Sequence, residues 1–289
     1  MTVFHEISPE TIDRYEELKA QRKRLKQRKL FFSYEDEYQN LKKEMYFDIN
    51  TLPNGFRGLD DFKNHPAYKY ALSVSNDEIP TNKYIHIVAK QFLDDLEKSE
   101  NDENFEYVFD YRIAGKISKM TNLMIAPSGL TAGAKIGDML AGFQWFFIMV
   151  SMGWKHRDDI EKRRYEKNVL LIARKSGKTF LTAVMLILLL LIEPKYSNFF
   201  SVAPDLELSS LILQEMKNII ESSPALSPYM GGAKDKIEFK LKSSKFTPLA
   251  TSNNRMDGEV CRQTQWCVKG NRGKSGNTLI SLHFILFYV

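Results

Sequence analysis

The chain has 289 residues, 43% of them hydrophobic and 27% charged, with a net charge of +5. That is enough chain for one large domain or two modest ones, with an ordinary soluble composition, so a fibrous or compositionally disordered protein is excluded. Its two cysteines, Cys261 and Cys267, lie close together near the C-terminus, so no disulfide framework holds the fold and a reducing, cytosolic setting is expected. The first residues carry neither a basic n-region nor an apolar h-region, so no signal peptide is expected.

Residues 1–50 read as helical and highly charged. Ser8-Pro9-Glu10 is a helix start, with Ser able to cap and Pro suited to the first turn. Residues 19–29, KAQRKRLKQRK, are strongly basic and contain no aromatic residue. Two readings stay open: a solvated helix with a narrow apolar stripe, or contact with the phosphate backbone of DNA or RNA. Residues 51–66 read as a loop, punctuated by Pro53-Asn54-Gly55, Gly58 and His65-Pro66. Helix spacing of Ile85, Val88, Ala89, Phe92, Leu93 and Leu96 predicts a helix from about Asn82 to Lys98. Residues 105–120 are expected to be helical too, and residues 127–137 are rich in glycine and small residues.

From Gly142 the texture changes. An apolar helix is expected up to Gly153-Trp154, then a charged linker over residues 155–167. Residues 168–173, NVLLIA, read as a buried strand. Residues 180–192, FLTAVMLILLLLI, form an apolar run well short of the about 20 residues a bilayer needs, so a buried helix is expected. Residues 198–203 read as a second strand. The next helix starts at Pro204-Asp205, has Leu208, Leu211, Ile212, Met216 and Ile219 on its inner stripe, and stops at Ser223-Pro224. A hairpin is expected from residues 237–241 and 245–250. Alternation of strands and helices predicts an α/β fold, a mostly parallel sheet with helices on both faces.

Between the first strand and the apolar helix stands Ala173-Arg174-Lys175-Ser176-Gly177-Lys178-Thr179. This context is what a phosphate loop requires. Gly177 lets the backbone approach an oxyanion, and the following helix N-terminus favours negative charge. Lys178 would reach the β- and γ-phosphates of ATP, and Thr179 would offer its hydroxyl to Mg²⁺. The usual pattern has a glycine where Ile172 stands. A second Gly-Lys-Ser, at Gly273-Lys274-Ser275, has no strand before it and is set aside.

Arg-Lys-x-Gly-Lys-Thr without the first glycine resembles the phosphate loop of tailed-bacteriophage terminase large subunits, the ATPases that package viral DNA. Phe143-Gln144-Trp145 resembles the family's adenine-recognition segment, Arg163-Arg164-Tyr165 a run before its first strand, and Phe200-Ser201-Val202-Ala203 its second strand. Residues 246–258 resemble the stretch before its Walker B strand, and His65-Pro66, Tyr70-Ala71 and residues 92–97 fit upstream. The resemblance covers about residues 65–258. It implies that Gln144 reads the adenine edge, that Lys175, Ser176, Gly177, Lys178 and Thr179 hold phosphate and Mg²⁺, and that Arg174 is either an arginine finger or a structural charge. It implies a helical region over residues 1–120, an incomplete P-loop ATPase domain over residues 121–258 and an atypical tail over residues 259–289. Its implied partners are double-stranded DNA, the small terminase subunit and the portal, in the cytoplasm of a host bacterium carrying a phage or prophage.

The family's next element is an apolar strand ending in Asp-Glu. Here no acidic residue follows Glu259. Hydrolysis is therefore expected to fall by about 10²–10⁴-fold or more, the effect of losing a catalytic base. The strands that would flank the phosphate-loop strand are expected to be missing, and nothing requires residues 279–289 to fill that edge. The abrupt change of composition is what a frameshift or read-through would produce, giving a truncated terminase; a divergent native segment is the alternative. Cys261 and Cys267 lack further ligands at metal spacing. Two other functions remain open: a non-catalytic fragment binding DNA or a partner through the basic segment, and another P-loop motor such as a helicase.

Overall fold

The structure is a computed structural model, and it describes Glu17 and residues 56–129, 131–173, 176–203, 206–232, 235–250, 267–271 and 283–287. The basic run of residues 19–29 and the capped start at Ser8-Pro9 lie outside the described residues, as do Arg174, Lys175, Pro204, Asp205 and Cys261.

The first part is helical. A single turn, α1 (Leu59–Phe62), leads to α2 (Pro66–Ser75) and α3 (Lys83–Asn101). His65 caps α2, its ring accepting the Ala67 N–H at 3.1 Å, and Pro66 sits where no amide donor is missed. Asn82 caps α3. The sequence stripe on α3 is only half right: Ala89, Phe92 and Leu96 are buried, whereas Ile85 and Val88 are exposed.

Residues 105–120 are not one helix. Tyr107–Phe109 form a short strand, β1, and α4 (Tyr111–Asn122) starts after Asp110, whose carboxylate accepts the N–H groups of Arg112 and Ile113. β1 pairs antiparallel with β2 (Trp154–His156), a strand inside the expected linker. After the turn α5 (Ile136–Met139) comes α6 (Gly142–Gly153), as the apolar run predicted. Gly153 is needed where it stands, because a Cβ there would lie 2.4 Å from the Phe109 ring. Around this junction Phe62, Phe92, Phe109 and Trp154 pack edge-to-face, and α2 packs on both α3 and α6. A single apolar core runs from these helices into the strands and helices C-terminal to them.

The second part alternates strands and helices. β3 (Lys167–Leu171) leads into α7 (Lys178–Ile192), β4 (Asn198–Ala203) and α8 (Leu206–Ser222); β5 (Met230–Gly231), β6 (Ile237–Phe239) and β7 (Ser244–Ala250) come next. The hairpin is present as β6 and β7. α7 is apolar all round, and Leu181 through Leu191 are buried, as expected of a core helix. Among the described residues no helix is long and apolar enough to cross a membrane. On α8 the buried stripe is Ile212, Leu213, Met216, Ile219 and Ile220, with Leu211 exposed.

The fold is α/β, but the strands do not form the one mostly parallel sheet expected: among the described residues β3 pairs in a two-stranded sheet apart from a mixed five-stranded sheet of order β5-β6-β7-β4-β8, β8 being Cys267–Asn271. β4 pairs parallel with β7 and antiparallel with β8, and β5, β6 and β7 run antiparallel. β3 is not buried on both sides: Asn168 and Leu170 point inward, while Val169 and Leu171 are exposed. One of its edges is filled: β9 (His283–Phe287) runs parallel to it over five residues, Lys167 opposite His283 and Leu171 opposite Phe287. The aromatic and branched sequence HFILF suits a strand, which is why this segment can pair there.

Candidate functional site

β3 ends at Leu171, and α7 begins at Lys178. Between them, Gly177 is the residue before the helix, with φ 75° and ψ 22°. That left-handed conformation favours glycine, and an L side chain there costs roughly 1–2 kcal/mol. As the N-cap, Gly177 has no side chain with which to cap the first turn of α7, and amides left open there suit water or an anion. Gly177 itself is exposed, while Ser176 and Thr179 are half-buried.

Lys178 is turned back into the protein. It is 6% exposed, and its ammonium donates to the carbonyls of Ile172 and, at 2.9 Å, Ala173 at the end of β3. The cation therefore sits against the loop's own backbone and bridges strand to helix.

Gln144 lies 33 residues earlier, near the start of α6, and is 9% exposed. Its Oε1 accepts the Ala141 N–H at 2.9 Å. Its Nε2 lies 3.4 Å from the point a Cβ on Gly177 would occupy. The fold thus brings Gln144 and the glycine of the loop together. The neighbouring Trp145 fixes α6 from behind: its indole N–H donates to Gly137 O at 3.1 Å, and its ring meets His65 edge-on at 4.8 Å. Arg174 and Lys175 lie outside the described residues, so of the sequence-chosen set Gln144, Ser176, Gly177, Lys178 and Thr179 can be placed.

The far end of α7 is also charged. Lys242 Nζ donates to Leu191 O at 2.5 Å and Glu193 O at 2.8 Å, satisfying carbonyls that end the helix. Arg163 donates to Glu193 Oε1 in a buried ion pair. Sequence reading gave these residues no role. The available signal was Arg163-Arg164 ahead of a strand and Glu193-Pro194 closing the helix.

Residues 142–263 match the family described as the terminase large subunit, ATPase domain. That segment is therefore similar to the ATPase domain of terminase large subunits. It opens at the first residue of α6, two residues before Gln144, and contains β3, the loop, α7, β4, α8 and the hairpin. Among solved structures, the large terminase of bacteriophage HK97 aligns with a TM-score of 0.40 and 19% identity, over 52% of this chain and 29% of that one. The aligned part thus spans under a third of the HK97 protein's length. No curated protein matches the chain.

The residues present fit a bound phosphate. An uncapped helix N-terminus, a left-handed glycine, a lysine and a threonine stand in sequence, with a buried amide alongside. A terminase ATPase site would take ATP with Mg²⁺, and this donor set suits the anionic end of that ligand.

Proposed function

We propose that this chain binds Mg-ATP through a Walker A loop, residues 172–179, and derives from the DNA-packaging motor of a tailed phage or prophage. The nucleotide-binding part on this reading is residues 121–258, preceded by a helical region over residues 1–120. The carrying observation is the approach of Gln144 Nε2 to Gly177, which joins the loop to the residue that the family resemblance assigns to the adenine.

In this reading the amides of Gly177 and the first turn of α7 receive the phosphates, helped by Lys175 and Ser176. Lys178 exchanges the carbonyls of Ile172 and Ala173 for phosphate oxygen, which raises the charge on its partner from partial to full. Thr179 offers its hydroxyl to the metal. Gln144 uses its amide for the adenine edge while Ala141 N–H holds Oε1. Arg174 adds positive charge where the transferred phosphoryl develops negative charge. Bound Mg²⁺ supplies charge neutralisation of the phosphates.

Turnover is a separate matter. Residues 260–289 contain no Asp or Glu. β8 and β9 therefore bring no water-activating carboxylate to the strands they join. Nucleotide binding is therefore the part of the activity that the residues named here carry. The motor's partners would be double-stranded DNA, a small terminase subunit and a portal, in a bacterial host cytoplasm; residues 19–29 are the DNA-facing candidate by charge. The family match over residues 142–263 favours this over a helicase.

The experiment is a fluorescence titration with an ATP analogue in the presence of Mg²⁺. Binding that is abolished by Lys178→Ala and weakened by Gln144→Ala supports the reading. DNA binding that is salt-sensitive, indifferent to Lys178→Ala and lost on neutralising Arg22, Lys23 and Arg24, with no nucleotide bound, would favour a DNA-binding fragment instead.

A further inference from the structure

Two consecutive arginines stand at the root of the phosphate-loop strand and reach different parts of the molecule. Arg163 donates to Glu193, the residue just after α7, and the two side chains are 2% and 8% exposed. Arg164 Nη1 lies 2.7 Å from Asp95 Oδ2 on α3, with side chains 10% and 7% exposed. The Arg164 guanidinium also lies over the Tyr107 ring at 4.2 Å, with Tyr165 and Trp154 at 5.0 and 5.1 Å. The backbone between them is anchored as well. Arg163 forms an antiparallel bridge with Lys155, and Arg164 N–H donates to Trp154 O at 3.2 Å, both on β2, which pairs with β1. Extended chain sends successive side chains to opposite sides, so one dipeptide ties α7 on one side to α3 and β1 on the other.

Both contacts leave donors short. Arg164 lies against a carboxylate and aromatic faces, a setting that suits a guanidinium, yet its Nη1 has no hydrogen-bond partner among the described residues. Arg163 is served less well: both its Nε and its Nη1 are buried with no hydrogen-bond partner among the described residues. A second cation, Lys155, stands beside it, and burial first, then the charge of Arg163, lowers the Lys155 pKa. Each buried donor left unpaired costs about 1–3 kcal/mol, so a small shift that re-pairs Arg163 is favourable in itself. Such an under-satisfied ionic contact can hold two arrangements close in energy.

We propose that Arg163 and Arg164 are positioning residues that couple occupancy of the phosphate site to the packing of the helical region at α3 and β1. The proposal rests on the nucleotide reading above. α7 is the link: a buried fifteen-residue rod with the loop at its N-terminus and Glu193 at its C-terminus. A shift of the rod when Lys178 leaves the strand carbonyls arrives at Glu193, passes to Arg163, and reaches Asp95 through the adjoining Arg164.

Hydrogen exchange on the full chain, with and without Mg-ATP, tests this beside a direct binding titration. Mg-ATP is expected to change exchange in residues 83–101 and 107–109 about fivefold or more in the native chain, and not at all in Lys178→Ala. Arg163→Met and Arg164→Lys should bind Mg-ATP within about threefold of the native chain yet lose that response, a separation of binding from coupling. Arg163→Lys keeps one donor to Glu193 and should recover part of it; it also serves if Arg163→Met does not fold. A response in Arg163→Lys and Arg164→Lys equal to the native chain's overturns the proposal. So does a native chain that binds Mg-ATP without any change in α3. A native chain that binds no nucleotide removes the reading beneath it, and the titration reports that outcome separately.

Discussion

Gly177 and Lys178 carry the site between them, one by conformation and one by charge. Gly177→Ala places a Cβ on a backbone at φ 75° and against Gln144, so it is expected to lower stability by roughly 1–2 kcal/mol and to weaken nucleotide binding. A thermal melt and a titration check both parts. His65 offers a pH test away from the site. Burial pushes its pKa down from 6.5 to about 4; the ring accepts Ala67 N–H, contacts Ser118 Oγ and stacks on Phe62. Above pH 6.5 the ring is neutral in both states. Below it the unfolded chain takes a proton that the folded chain refuses, so stability falls as pH drops through that window, by up to about 3 kcal/mol. His65→Asn keeps an acceptor for the α2 N-terminus without titrating, and denaturant melts at pH 7 and pH 4.5 should show a smaller difference in that variant than in the native chain. Much at this scale was legible: Gly177 and Lys178 could be picked from residue type and context, and Gln144 from the family resemblance alone. The partners of Lys178 could not, because backbone carbonyls leave no mark in a sequence.

α7 is the element on which the phosphate site depends, and it is braced at both ends. Lys242, from the turn between β6 and β7, donates to the carbonyls that close it. Lys242→Met keeps most of the apolar stem and removes those bonds, so a loss of about 1–3 kcal/mol is expected in urea unfolding. Leu186, fully buried mid-helix, should cost about 2–5 kcal/mol as Leu186→Ala. Long periodic elements were readable: α3, α6, α7, β4, α8 and the hairpin all fall where apolar spacing places them. β1 and β2 were not, since three residues give no period, and their pairing joins segments 47 residues apart from Tyr107 to Trp154. Ile85, Val88 and Leu211 were assigned to buried stripes by periodicity alone and are exposed, because burial depends on what packs opposite.

At the scale of the molecule, helical and α/β parts share a core, and Arg163-Arg164 stands where they meet. The sheet departs from expectation for a concrete reason. β8 runs antiparallel beside β4, and β9 lies parallel to β3, on an edge for which the sequence required no partner. Strand direction and neighbour are long-range choices, and HFILF reads as a strand without saying which edge it joins. Chains cut after residue 271 lose β9 and should leave the β3 edge open, with lower thermal stability and concentration-dependent association by light scattering. The central claim is that a nucleotide phosphate site is built by the loop before α7 with Gln144 beside it. Isothermal titration of the full chain with Mg-ATP tests it most directly. Saturable binding that disappears in Lys178→Ala and weakens in Gln144→Ala is predicted; no binding, or binding indifferent to Lys178→Ala, would contradict it.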